Sequence, residues 1–395
     1  SMESDNKLFL LDAYALIYRA YYAFIKNPRI NSKGFNTSAI LGFVNTLEEV
    51  LKKENPTHIG VAFDPAGPTF RHEAFEQYKA QREETPEAIR LSVPIIKEII
   101  RAYRIPILEV AGYEADDVIG TLATEAGRQG IITYMMTPDK DYGQLVSDKV
   151  FMYRPKHTGG FEVMGVDEVK AKFDIQSPAQ VIDMLGLMGD SSDNIPGCPG
   201  VGEKTAQKLI AEFGSIENLL EHTDQLKGAL KTKVETNREM ITFSKFLATI
   251  KIDVPIQLDM DSLVREQADE DSLRQIFEEL EFRTLIDRVL KKENAGNGIT
   301  TPTGNKTAAE KSNLAPLPLF PEEGGAVQGD LFANFTGNEP GEAKNSNLAT
   351  LETLNCDYQL IDTEEKRTKI IQKLLTSKIL SLDTETTGTE PMDAE

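Results

Sequence analysis

Apolar positions change their period along the chain. Four short runs, KLFLL (Lys7 to Leu11), THIGVAF (Thr57 to Phe63), IPILEV (Ile105 to Val110) and IITYMMT (Ile131 to Thr137), have strand length and are rich in β-branched or aromatic residues. Helix-like segments separate them, which predicts a parallel α/β sheet over residues 6–176. Between Phe70 and Arg104 a charged stretch reads as two helices broken near Thr85 and Pro86, too long and too polar at its start for a simple crossover. From about residue 177 to 290 a three-and-four spacing takes over, as in AQVIDMLGLM and TAQKLIAEF, and predicts an all-helical second subdomain. Residues 291–347, rich in Gly, Pro, Asn, Thr and Ala, read as a disordered linker. Order is expected again at YQLID and KILSLDTETTG, and the stop at MDAE suggests truncation. Ser1, ahead of Met2, reads as a residue left by tag removal. No internal repeat is found.

The strand ends carry acids. Asp12 comes directly after the first run, Asp64 after the second, Glu114 after the third and a short turn, and Asp139 after the fourth and Pro138. In open α/β sheets, ligands bind outside the carboxyl ends of the strands. GYEADDVIGTLA adds Asp116 and Asp117 at a helix mouth, TPDKDYGQL adds Asp141, and GDSSDNIPG adds Asp190 and Asp193. Capping and the helix dipole account for one or two acids at a helix start, and a lone D-x-D is common in surface loops. If all of these acids converge on one strand edge, their mutual repulsion is tolerable only with cations between them. All-oxygen ligands select Mg²⁺, with Mn²⁺ as a substitute, over zinc. Two such ions about 4 Å apart suit in-line attack on a phosphodiester, one activating water and the other stabilising the leaving oxygen.

Composition then bounds the class. At 395 residues, with 40% apolar and 27% charged residues, the chain suits two or three globular domains. No run of 18 apolar residues occurs and the first residues carry no signal-peptide pattern, so no membrane partner and a cytosolic location are expected. Cys198 and Cys356 make no spaced set with the four histidines, which argues against a disulfide framework or a zinc site. A net charge of −20 opposes a nucleic-acid partner at face value. That inference reverses if the acids hold cations.

The motifs FLLDAYALIYRAYYAF, GVAFDPAGPTFRHEAFEQYKAQR, GYEADDVIGTLA, TPDKDYGQL and GDSSDNIPGCPGVGEKTA resemble the 5′ nuclease (flap endonuclease) domain family at the N-terminus of bacterial DNA polymerases I, over residues 6 to 290. The resemblance implies a PIN/FEN-like sheet with a helical arch near residues 70–104. It places Asp12, Asp64, Glu114 and Asp116 around a first metal, Asp139, Asp141, Asp190 and Asp193 around a second, and Asp117 in support. It implies a nucleoid-associated bacterial protein acting on DNA with a 5′ flap, a nick or an RNA primer.

The same motifs supply candidate DNA contacts. In IPGCPGVGEKTAQKLI, Gly197, Gly200 and Gly202 precede a helix opening with Glu203 and Lys204. Glycines let the backbone approach a phosphate, and free amides at a helix start favour an anion. A tight turn needing glycine for geometry alone is the competing reading. The resemblance makes this a helix-hairpin-helix element gripping duplex backbone and holding K⁺. Lys227, Lys231 and Lys233 extend that contact or form a solvated face. The resemblance puts YKAQR at the arch base, where Lys79 and Arg82 meet the scissile phosphate as catalytic cations and Tyr78 stacks on a base. Arg19 and Arg71 are further candidate phosphate contacts, although Arg19 could instead pack its stem on the sheet.

Two features lie beyond the nuclease region. Asp383 and Glu385 in KILSLDTETTG resemble the first motif of a 3′–5′ exonuclease domain, whose residues 348–395 are too few to bury a core. In the linker, QGDLF, with Gln328, Leu331 and Phe332, resembles the short peptide by which bacterial replication proteins engage the sliding clamp. Two alternatives stand beside the nuclease reading. A PIN-like ribonuclease is disfavoured by the arch segment and the glycine hairpin, and a junction-binding module without catalysis by the full set of acids.

Overall fold

The computed structural model describes residues 5–156 and 158–290. The linker with Gln328, Leu331 and Phe332, and the tail with Asp383 and Glu385, lie outside the described residues. A single sheet is built from β1 (Lys7–Asp12), β2 (His58–Ala62), β3 (Ile107–Leu108), β4 (Ile132–Met136), β5 (Val150–Pro155) and β6 (Phe161–Met164). Its order is β3-β2-β1-β4-β5-β6, with every pair parallel except the antiparallel β5–β6. The chain leaves β1 toward β2 on one side and reaches β4 on the other, so the topological switch point lies between β1 and β4. The carboxyl end of β1 is Asp12.

Helices α1 (Ala13–Ala23), α2 (Ser38–Glu54), α3 (Phe70–Ala74), α4 (Glu87–Ala102), α5 (Ala115–Arg128) and α6 (Val166–Phe173) accompany the sheet. Then come α7 (Val181–Met188), α8 (Glu203–Phe213), α9 (Ile216–Glu221), α10 (Gly228–Thr236), α11 (Arg238–Ala248), α12 (Met260–Leu263), α13 (Glu270–Glu279) and α14 (Arg283–Leu290). The two-residue period of β1 sorts its side chains into two cores. Leu8 and Leu10 face α5 and continue into the helical region through Met184, Leu209 and Leu247. Phe9 and Leu11 face α1, α2 and α4. Among the described residues, no helix is long and apolar enough to cross a membrane.

Three differences from the sequence reading have physical causes. The strands β5 and β6 escape it because VFMYRP carries Arg154 and Pro155 and FEVM is a short edge strand with two exposed residues. Helices α13 and α14 lie outside the helical subdomain core: Leu273, Phe277 and Leu285 pack with Phe43 and Ile96 on the α2/α4 face of the sheet. An amphipathic period states that a face is buried, not against what. Lastly, the arch segment holds only the five-residue α3 before α4, and residues 75–86 form turns at 76–81 followed by irregular chain. Their polar groups bond to the 191–194 loop: the Lys79 amide donates to the Asp193 carbonyl at 3.0 Å, and Asn194 Nδ2 donates to the Gln77 carbonyl at 2.6 Å. Lys79 takes a left-handed φ of 56° to do so.

Candidate metal centre

The ends of the parallel strands deliver their acids to one place. Asp12, 9% exposed, accepts hydrogen bonds at Oδ2 from Tyr142 at 3.0 Å and Thr137 at 3.2 Å. Asp64, just past β2, accepts from the Ala115 amide at 2.7 Å, which ties it to the first turn of α5. Glu114 stands ahead of α5 and receives Arg71, Lys79 and the Tyr78 hydroxyl. Asp117 is fully buried and accepts from the Glu114 amide at 3.1 Å, so a capping role accounts for this acid. It does not account for Asp116, whose Oδ1 is buried with no hydrogen-bond partner.

The second group comes from two loops. Asp139 accepts from the Asp141 amide at 2.9 Å, and Asp141 Oδ1 is again buried without a partner. An antiparallel bridge between Asp190 and Ile195 closes the other loop, and Asp190 accepts from the Ser192 amide at 2.9 Å. Asp193 pairs with Arg82 and lies 3.9 Å from Lys79 Nζ. Carboxylate oxygens of Glu114, Asp116 and Asp117 lie within 4.8 Å of one another, as do those of Asp141, Asp190 and Asp193.

The two groups repel as one. Burial, then Asp64 and Asp139, pushes the Asp12 carboxyl up to about 7. Burial, then Asp193 and Asp190, raises Asp139 to about 6 despite the Asp141 amide. Burial and their neighbouring acids drive Asp116 and Asp141 well above the carboxylate range. Burial also lifts Asp64. Glu114 is the exception: burial works upward, but Lys79 and Arg71 outweigh it and hold the group down to about 2. Crowded carboxylates, unpartnered buried oxygens and an all-oxygen donor set fit hard divalent cations.

Several residues stand differently from their sequence reading. Arg71 does not face phosphate: it is 1% exposed, and its guanidinium pairs both oxygens of Asp117 at 2.8 Å as well as Glu114. Burial opposes its charge, but Asp117, Asp116 and Glu114 hold it protonated. Asp117, whose oxygens accept from Arg71 and from the Glu114 and Lys251 amides, supports the site by holding these groups in place. Tyr78 is 4% exposed with its hydroxyl on Glu114, so no base stacks on it. Arg19 is 8% exposed on α1, where burial pulls its guanidinium down to about 10 against the support of Glu49. Removing Arg71 would leave Asp117 charged and buried. Arg71→Ala is therefore expected to cost roughly 3–5 kcal/mol, read by urea denaturation of the metal-free protein.

The hairpin between α7 and α8 divides its glycines by task. Gly197 is buried at φ 64°, and a Cβ there would come 2.3 Å from the Gly189 nitrogen, so it closes the loop and does not face a phosphate. Gly200, Gly202 and Lys204 are exposed at the start of α8. A Cβ on Gly200 would come 2.8 Å from Lys233 Nζ, which brings that cation to the hairpin. Lys231 instead pairs loosely with Glu235 at 3.9 Å. The sequence reading missed Thr137 and Tyr142, which orient Asp12. Their one available signal was position, since both lie in or beside TPDKDYGQL.

Comparison with known proteins gives this geometry a family. Sequence models match the 5′-3′ exonuclease N-terminal resolvase-like domain at residues 7–174 and the 5′-3′ exonuclease C-terminal SAM fold at 176–271. The chain belongs to the 5′-3′ exonuclease family. A DNA polymerase I of Bacillus caldotenax is 42% identical over 287 residues, covering 72% of this chain and 32% of that protein. The chain thus spans about a third of the length of the curated relatives it matches. The 5′-exonuclease of bacteriophage T5 with divalent metal ions (zinc) bound has a TM-score of 0.55 and 21% identity, over 69% of this chain and 99% of that one. The T5 D15 flap endonuclease, in a pseudo-enzyme-product complex with DNA and metal ions, has a TM-score of 0.53 and 22% identity, over 70% and 100%. At such identities the likeness is one of fold: the 5′-3′ exonuclease sheet and helical subdomain in one arrangement.

Proposed function

We propose that the chain is a Mg²⁺-dependent 5′ nuclease that hydrolyses a phosphodiester near the junction of a 5′ single strand with duplex, leaving a 5′-phosphate and a 3′-hydroxyl. The observation that carries this reading is the convergence of strand-end carboxylates beside two cations, Lys79 and Arg82. Asp12, Asp64, Glu114 and Asp116 would hold one ion, and Asp139, Asp141, Asp190 and Asp193 another. Bound there, the ions supply a nucleophilic water at neutral pH and Lewis-acid stabilisation of the leaving oxygen. Lys79 lies at the rim, paired with Glu114 and near Asp193, where its ammonium can turn to a phosphate oxygen. Arg82, half exposed beside it, offers a planar fork for the same phosphate. The exposed Gly200 and Gly202 backbone and Lys204 hold duplex phosphates, contacts that carry no sequence information and suit recognition of strand structure.

In the cell the activity would remove RNA primers and 5′ flaps during replication and repair, as the nuclease part of a protein resembling DNA polymerase I. K⁺ at the hairpin is part of the proposal, and tighter flap binding in K⁺ than in Na⁺ at equal ionic strength is its test. Docking of Gln328, Leu331 and Phe332 on the sliding clamp is another part, tested by a clamp pull-down that Leu331→Ala with Phe332→Ala should abolish. The nuclease reading itself is tested with a 5′-labelled DNA flap and an RNA hairpin, each with Mg²⁺ or EDTA. Mg²⁺-dependent cutting of the flap near its junction supports it. Preference for the RNA hairpin, or flap binding without cutting, overturns it.

A further inference from the structure

We propose that Arg71 is a positioning residue that holds the DNA-gripping hairpin in register with the metal-site carboxylates and so determines which phosphodiester is cut. The inference rests on the nuclease reading above. Arg71 has five N–H donors, and each is engaged. Nη1 reaches Glu114 and Asp117, Nη2 reaches Asp117 and the Thr249 carbonyl at 2.7 Å, and Nε reaches the Leu247 carbonyl at 2.9 Å. Neutralising the two acids needs only the Nη groups facing them. The remaining donors bind the end of α11, a helix of the other subdomain.

That helix carries the hairpin. It packs along α7, and Ser244, fully buried in its middle, accepts a hydrogen bond at Oγ from the Gly197 amide at 2.8 Å. Gly197 in turn lies against Gly189 at the end of α7, so the loop is tied both to α7 and, through Ser244, to α11. A continuous line of buried hydrogen bonds therefore runs from the hairpin through Ser244, α11 and Arg71 to Glu114. A second tie runs beside it, from the Lys251 amide to Asp117 Oδ1 at 2.8 Å. Gly120 of α5 permits it: a Cβ there would come 2.6 Å from Ile250.

A nuclease that grips the duplex at one place and cuts at another reads out position only through the rigid path between them. A misplacement of about 1 Å at reacting groups costs on the order of 10²-fold in rate, so a looser path lets neighbouring phosphates compete. Arginine is suited to the joint because its planar fork spans two carboxylates and two carbonyls. Lysine presents its donors from one atom and cannot span them. Arg71→Lys thus retains the charge beside Glu114 and Asp117 but releases α11, and Ser244→Ala releases the hairpin at the other end of α11.

Spatial continuity alone does not demonstrate coupling, so the test must read register directly. The full chain, Arg71→Lys, Ser244→Ala and the double variant are compared in single-turnover cutting of a 5′-labelled flap, with products resolved to the nucleotide. Flap affinity is measured in Ca²⁺ and folding by circular dichroism. The expected result is one dominant cut for the wild type, a severalfold rise in cuts at adjacent phosphates for each single variant, and no further spread in the double variant. Cutting by the variants at the wild-type position, however slowed, overturns the proposal and leaves Arg71 a fold-stabilising residue. A wild type that cuts no flap overturns the nuclease reading and this inference with it. Should Arg71→Lys fail to fold, the register of Ser244→Ala decides, because the same path runs through it.

Discussion

Asp116→Asn is expected to abolish flap cutting and, at the same time, to make the metal-free protein more stable at neutral pH. Both effects come from one atom. Asp116 Oδ1 is buried with no hydrogen-bond partner, and burial together with Asp117 and Glu114 holds the carboxyl well above its ordinary range. A carboxyl so placed must take up a proton or a cation, and at neutral pH without metal that proton uptake costs stability. Asparagine keeps the shape, removes the charge and leaves a site short of one anionic ligand. Loss of cutting should be on the order of 10³-fold or more, corresponding to roughly 4 kcal/mol of lost transition-state stabilisation. Flap binding in Ca²⁺ should persist, since the hairpin does not touch Asp116. The checks are single-turnover cutting in Mg²⁺ and a thermal melt in EDTA. A variant that cuts at the wild-type rate would remove Asp116 from the metal centre.

The second large effect is on pH dependence. Asp12 and Asp139 are raised to about 7 and about 6, with Asp116 and Asp141 higher still. A carboxyl whose folded pKa exceeds its unfolded value favours folding below the unfolded value, and that contribution is lost as pH rises through the folded one. Glu114 acts oppositely: its contribution is present above its unfolded value and is lost as pH falls toward about 2, below the relevant window. Metal-free protein should therefore melt lower at pH 8 than at pH 5, by roughly 5 °C or more if a few kcal/mol are involved. Divalent ions bind the deprotonated acids, so added Ca²⁺ should raise the melting temperature far more at pH 8 than at pH 5. Melts that rise with pH in EDTA, or a Ca²⁺ shift independent of pH, would contradict the electrostatics described.

Much of this centre was legible in the sequence, because β-branched runs mark parallel strands and the residue after each run marks the ligand edge. Asp12, Asp64, Glu114 and Asp139 are of that kind. The helix-cap reading of GYEADDVIGTLA also holds for the capping box that Glu114 and Asp117 form at the start of α5, and leaves Asp116 unexplained. Arg71 and Tyr78 were misread for one reason: they lie in segments with polar neighbours, and their partners are distant in sequence; the buried Arg19 fits its alternative reading as a stem packed in the fold. Arg71 lies 46 residues from Asp117 and 176 from Leu247. Nothing local distinguishes a cation that meets phosphate from one that bolts two subdomains together. Gly197 and Gly200 show the same limit, because a packing glycine and an exposed one read alike.

Whether these carboxylates form a divalent-metal centre is decided by Mn²⁺ binding followed with electron paramagnetic resonance. Two ions per chain are expected for the wild type at pH 8, with Asp116→Asn weakening one and Asp141→Asn the other. Absence of bound Mn²⁺, or binding unaffected by either substitution, would mean that the acids hold no metal.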